Sequence, residues 1–123
     1  MEARLSKLVD SAPYGKRDDA LFLGEMNRLT EHHLAACDEY ARVWPDWRHA
    51  KSVEELPYLH VGTFKWINFR SGGKDVKHER TLLSSATTSG MPSRIVLDEK
   101  SSELQAQSSL AILADFVGNS ARP

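Results

Sequence analysis

The chain has 123 residues, of which 41% are hydrophobic and 27% charged, with a formal net charge of −1; that is enough for one domain with a core and too short for two of usual size. This balance excludes wholesale disorder and gives no global attraction to nucleic acid or to an anionic membrane. A single cysteine, Cys37, excludes an intrachain disulfide and a multi-cysteine zinc site and points to a reducing, cytoplasmic setting.

The opening residues, Met1 to Lys7, lack the continuous apolar core of a secretory signal, and no run approaches the roughly 18 apolar residues of a membrane span. After a turn near Pro13-Tyr14-Gly15, Asp18 to about Trp44 reads as one long helix. Asp18 and Asp19 lie at its positive end. Phe22, Met26, Leu29, His33, Ala36, Tyr40 and Val43 recur at steps of four and three, which aligns them along one stripe. Pro45 stops the helix. Trp44 and Trp47 then cover the edge of the core in a turn-rich passage that runs through Ser52. Val53 to Leu56 is expected to form one helical turn before Pro57, and Tyr58 to Val61 to be extended.

Between Phe64 and Arg80 lies one basic patch, Lys65, Arg70, Lys74, Lys77 and Arg80, interleaved with Phe64, Trp66 and Phe69. The pattern can stack and neutralise single-stranded nucleic acid, and it equally describes core aromatics alternating with a solvated face. The second description is preferred, so nucleic acid is not expected as a partner. Ser71-Gly72-Gly73-Lys74 is a turn and not a P-loop: Asn68 stands where that motif needs its first glycine, and Asp75 follows the lysine where Ser or Thr would hold the metal.

Candidate strands follow at Arg80–Ser85 and Arg94–Leu97, and then a helix capped by Asp98 or Ser101, with Ala106, Leu110, Leu113, Ala114 and Val117 as its buried face. Gly118-Asn119 is the helix stop. The fold class is α/β: a long N-terminal helix, short strands flanking a Ser/Thr-rich loop, and a closing helix.

That loop is the most informative stretch. Ser84, Ser85, Thr87, Thr88 and Ser89 offer five hydroxyls, and a turn through Gly90 can aim successive backbone N–H groups at one anion, such as the phosphates of a nucleotide. By composition alone the same residues make an ordinary solvated turn. Other chemistry is poorly supported. His32 and His33 point to different helix faces and no His-Glu-x-x-His arrangement occurs; the serines lack a Gly-x-Ser-x-Gly elbow; Cys37 sits mid-helix as a small buried residue.

Leu56-Pro57-Tyr58-Leu59-His60-Val61 with Phe64-Lys65, the loop itself, and Pro92-Ser93-Arg94-Ile95-Val96-Leu97-Asp98 leading into a helix together resemble the LuxE-type acyl-protein synthetases, relatives of the acyl-adenylate-forming ligases. The resemblance runs from about Leu56 to Gly118. It implies that Ser84, Ser85, Thr87 and Thr88 match the hydroxyl residues that hold the β- and γ-phosphates of ATP, with Ser89 and Gly90 completing the loop. It also implies Mg²⁺, a fatty acid or acyl donor, and acyl-adenylate formation followed by acyl transfer. Ala86 and Ser89 replace the family's two loop glycines, and Gly90 is expected to take over the turn one position later. Arg94 and Lys65 are candidates to assist the leaving phosphates. On this resemblance the chain is the opening section of a longer adenylate-forming domain, lacks the family's acyl-carrying cysteine and does not turn over alone. The competing reading is a non-catalytic interaction domain that docks through the Phe22–Val43 stripe, or a degenerate, truncated family member.

Overall fold

A computed structural model describes residues 8, 11–72, 76–85 and 90–118. In chain order the elements are α1 (Asp19–Ala36), α2 (Asp38–Val43), a 3-10 turn (Val53–Glu55), α3 (Thr63–Trp66), β1 (His78–Leu83), β2 (Arg94–Asp98) and α4 (Glu99–Val117). Helices and a two-stranded antiparallel sheet thus make a small mixed α/β fold.

Helix α1 begins where its capping residue dictates. Asp18 is extended (φ −103°, ψ 93°), and its Oδ1 accepts from the Leu21 N–H at 3.0 Å, satisfying one of the donors that a helix start leaves free. Asp19, in the first turn, is paired with Arg17.

The single helix expected as far as Trp44 is divided at Cys37, which is extended (φ −135°, ψ 105°) and buried. The physical reason lies outside the segment. In an unbroken helix the Ala36 carbonyl would accept from Tyr40; instead it accepts from the Gly72 N–H at 3.0 Å. Asp38 and Glu39 then supply negative charge to the new helix start, and Ala41 donates to the Cys37 carbonyl at 3.0 Å.

The stripe is only partly covered: Phe22, Met26, Leu29, His33, Ala36 and Tyr40 are half-buried, while Val43 is exposed. The fully buried positions of α1 are polar ones, Glu25, Asn27 and Thr30. Each has a partner. Glu25 accepts from Arg28 Nη2 at 2.8 Å, and the Thr30 hydroxyl donates to the Met26 carbonyl at 2.7 Å. Asn27 makes a two-way bond with one peptide unit, Nδ2 donating to the Ala50 carbonyl at 2.9 Å and Oδ1 accepting from the Ala50 N–H at 2.8 Å. A primary amide presents a donor and an acceptor side by side, as a strand neighbour would. It ties the passage after Pro45 to α1.

Trp44 and Trp47 are half-buried in that passage, as expected of edge covers, Trp44 against Tyr58 (6.5 Å between ring centroids) and Trp47 against His49 (5.0 Å). Val53 to Leu56 forms the expected single turn, closed by Leu56 N–H donating to the Val53 carbonyl at 3.2 Å. Tyr58 to Val61 joins no strand among the described residues: the His60 and Val61 carbonyls accept from Thr63 and Phe64 N–H at 2.9 and 3.3 Å in the turn that opens α3, and the Tyr58 and Val61 side chains are exposed. Phe64 and Phe69 turn inward instead, meeting edge-to-face at 5.2 Å, with Tyr40 against Phe69 at 6.4 Å and His33 against Tyr40 at 6.3 Å. This aromatic row, with buried Cys37 and Ala50, is the core.

The hairpin runs from His78 paired with Asp98 to Leu83 paired with Arg94, with a register irregularity between His78 and Arg80. Helix α4 follows β2 with no intervening residue, its start capped by Asp98 Oδ1 accepting from Ser101 N–H at 2.8 Å. Its expected buried face is turned outward: Ala106, Leu110, Leu113 and Val117 are exposed and Ala114 half-buried, while Lys100, Leu104, Ser108 and Ala111 lie inward. The rotation of the helix is set by the chain leaving β2 directly through the Asp98 cap, and that constraint overrides the apolar period.

Candidate functional site

Strand β1 ends two residues earlier than the expected Ser85, and the reason bears on the loop. In a regular antiparallel pair Ser84 and Ser93 would exchange two backbone bonds. Here Ser84 N–H donates to the Ser93 carbonyl at 3.0 Å, but the returning Ser93 N–H donates at 2.8 Å to the Ser84 hydroxyl rather than to its carbonyl. One side chain replaces one ladder group. The neck of the loop is therefore clamped, with Ser93 buried at its base.

Ser84 Oγ spends a lone pair on this clamp and donates its own proton to the Ser85 carbonyl in a long bond, 3.5 Å between the oxygens. Ser84, Ser85 and Gly90 are exposed at the rim. Gly90 has φ +69°, a left-handed value, and among the described residues no heavy atom lies within 4 Å of the position a side-chain carbon would take there. It makes a turn that L side chains resist. Thr87, Thr88 and Ser89, together with Ala86, lie outside the described residues. Arg94 stands at the exposed start of β2, and α3, which carries the half-buried Lys65, packs beside that strand.

What the rim offers is therefore exposed hydroxyls at Ser84 and Ser85, a glycine turn open to solvent, and the cationic Arg94 at the start of β2. Such a set suits the oxygens of a phosphate chain, each of which accepts from O–H and N–H donors. Hydroxyl oxygens and waters are also ordinary Mg²⁺ ligands. Among the described residues no group of three His, Cys, Asp or Glu side chains could hold a metal ion.

A second polar cluster lies where α1 meets the turn after Phe69. His33 Nδ1 is 2.5 Å from the Ser71 hydroxyl, and Gly72, with φ +88°, presents its N–H to Ala36 one residue on. Burial, reinforced by neighbouring His32 and opposed by the Asp98 carboxylate, lowers the pKa of His33 below its ordinary value. The imidazole is thus held neutral. The Asp98 carboxyl is itself held below the usual range, chiefly by the Ser101 N–H, with the charges of His78 and His32 acting in the same direction. Nothing in the sequence singled out Ser71 as a partner of His33; the pairing depends on a turn 38 residues away.

The basic patch is taken up largely in structure. Phe64 and Phe69 face the interior, Arg70 Nε donates to His78 Nδ1 at 2.9 Å, and Arg80 Nη2 to Gln105 Oε1 at 2.8 Å. Lys74 lies outside the described residues. Trp66 is exposed. No helix among the described residues is long and apolar enough to cross a membrane.

No protein-family model matches the chain, and no curated protein or solved structure matches it either.

Proposed function

We propose that this chain is the N-terminal part of an ATP-dependent fatty acyl-protein synthetase of the LuxE type, contributing the phosphate-holding loop of an adenylate-forming ligase. In that reaction an acyl carboxylate attacks the α-phosphate of ATP, pyrophosphate leaves, and the acyl group passes from the adenylate to an acceptor. The part assigned to this chain is to bind and neutralise the leaving phosphates, with Mg²⁺ sharing their charge.

The observation that supports the reading is the Ser84–Ser93 clamp with the open left-handed turn at Gly90. The clamp fixes both ends of the hydroxyl-bearing segment. Gly90 supplies a left-handed turn next to Ser89, where the resembled loop has its second glycine. Ser84, Ser85, Thr87 and Thr88 donate to phosphate oxygens in this scheme; Arg94 and Lys65 add positive charge.

Titration calorimetry with ATP in the presence and absence of Mg²⁺ tests it. Binding is expected to depend on Mg²⁺ and to fall by about a hundredfold or more in the T87A/T88A variant, the loss of two hydrogen bonds to a charged group at about 1.5 kcal/mol or more each. Absence of nucleotide binding by the chain, both alone and joined to a complementing C-terminal portion, refutes the reading and leaves the interaction-domain alternative.

A further inference from the structure

The turn after Phe69 holds a serine against a histidine of α1. Ser71 Oγ lies 2.5 Å from His33 Nδ1, and the next residue, Gly72, is fixed to the end of α1 by its N–H donating to the Ala36 carbonyl at 3.0 Å. The imidazole packs edge-to-face against His32 at 5.2 Å and against Tyr40 at 6.3 Å, which sets its plane. Ser71 and His33 are both half-buried, so the pair is positioned by its surroundings and still meets solvent. The division of α1 from α2 needs only the Gly72 N–H, and the hairpin loop uses neither side chain.

We propose that Ser71 is a nucleophile with His33 as its general base, a dyad that accepts the acyl group of small activated carboxylic esters. Such pairs are defined by geometry and role and not by a sequence motif. With its hydrogen on Nε2, a neutral imidazole presents Nδ1 as an acceptor to the Ser71 O–H. As Ser71 Oγ bonds to the acyl carbon, its proton passes to Nδ1; the ester C–O bond breaks, and the leaving oxygen takes that proton away. Water then attacks the acyl-serine by the same route, its proton passing through Nδ1 to Ser71 Oγ as the carboxylic acid leaves. Burial keeps the resting imidazole neutral and therefore able to accept, His32 acts in the same direction, and the Asp98 carboxylate favours the imidazolium that forms during the step.

Acetylation of the full-length chain by p-nitrophenyl acetate tests the proposal, with acid quenching, digestion and mass-spectrometric mapping of the acetyl group. Ser71 is expected to be acetylated at least tenfold faster than the exposed Ser85, at a rate that rises with pH to a plateau and has its midpoint below about 6.5, the ordinary histidine value. H33Q, which keeps the serine, is expected to slow Ser71 acetylation about a hundredfold and to abolish the midpoint. H49Q, which alters an exposed histidine outside the pair, is expected to leave it unchanged. Should H33Q fail to fold, the site preference and the pH midpoint of the unaltered chain decide the matter by themselves. Acetylation of Ser71 no faster than that of Ser85, a rate that climbs without a plateau from about pH 5 to 8, or a folded H33Q as reactive as the parent would each overturn the proposal. Nucleotide binding at the hairpin loop is a separate measurement, and neither result decides the other.

Discussion

Replacing Asn27 by Ala removes the two-way bond to the Ala50 peptide and leaves a buried N–H and a buried carbonyl without partners. A hydrogen bond contributes about 1 kcal/mol net, whereas a buried backbone group deprived of its partner costs about 1–3 kcal/mol, so the change is expected to destabilise the fold by about 2–4 kcal/mol. At this chain length about 4 °C accompanies each kcal/mol, which sets the fall in melting temperature near 10 °C. Urea denaturation followed by tryptophan fluorescence reads the effect directly, because Trp44 and Trp47 flank the passage that Asn27 holds. The midpoint should fall with little change in slope. Asn27→Asp keeps the acceptor for the Ala50 N–H but turns a carboxylate toward the Ala50 carbonyl, and so should lose nearly as much. A loss below about 1 kcal/mol for Asn27→Ala would mean that the passage is held by its tryptophans and not by this amide.

Gly72→Ala is expected to cost about 2 kcal/mol or more, since φ of +88° is strained for Ala and its methyl would run into the Val76 side chain; thermal unfolding measures it, and a neutral result would remove Gly72 from the set of residues that divide α1 from α2. Gly90→Ala meets no neighbouring atom among the described residues and bears backbone strain of about 1–2 kcal/mol, so it should weaken nucleotide binding more than it lowers the melting temperature, as parallel calorimetry and thermal melts would reveal. Unfolding free energy should be highest near neutral pH. His33 has its pKa lowered in the fold, so its contribution is complete above the unfolded value of about 6.5 and declines as pH drops below it; Asp98, also lowered, adds a second decline below about 3.9. In H33Q the first decline should vanish from a series of denaturation curves while the second persists. Tyr40, raised by burial against the opposing Thr30 hydroxyl, should produce a loss above about pH 10, which Y40F abolishes in the same series.

The hairpin, the single turn at Val53 and the capping role of Asp98 were legible in the sequence because each depends on residues close in the chain: β-prone runs around a turn, a Pro after a short helical stretch, an acid at a helix start. The division at Cys37 was not, since it depends on Gly72 reaching the Ala36 carbonyl from 36 residues away. Asn27 was passed over for a similar reason: an amide inside a helix carries no local sign that it will stand in for a strand. The orientation of α4 defeated the periodicity argument. Its apolar stripe was read correctly as a stripe, but a period says which residues share a face and not which way that face points. Of the candidate site, a turn at Gly90 was readable; Thr87, Thr88 and Ser89 lie outside the described residues. The use of the Ser84 side chain as a ladder group was not, because it depends on where Ser93 arrives.

Asp98 is at once the last residue of β2 and the lid on the first turn of α4. With no slack between the two, strand and helix behave as a crank on its shaft. A slip of the hairpin by one residue would carry the helix about 3.3 Å along the strand and send every β2 side chain, and the helix that leaves Asp98, to the opposite face. Lengthening the loop beyond Ser84 and Ser93 leaves that gearing untouched, whereas inserting one residue inside β2 would turn the outward leucines toward the sheet. The chain thus tolerates changes of length on one side of the Ser84–Ser93 clamp and not on the other.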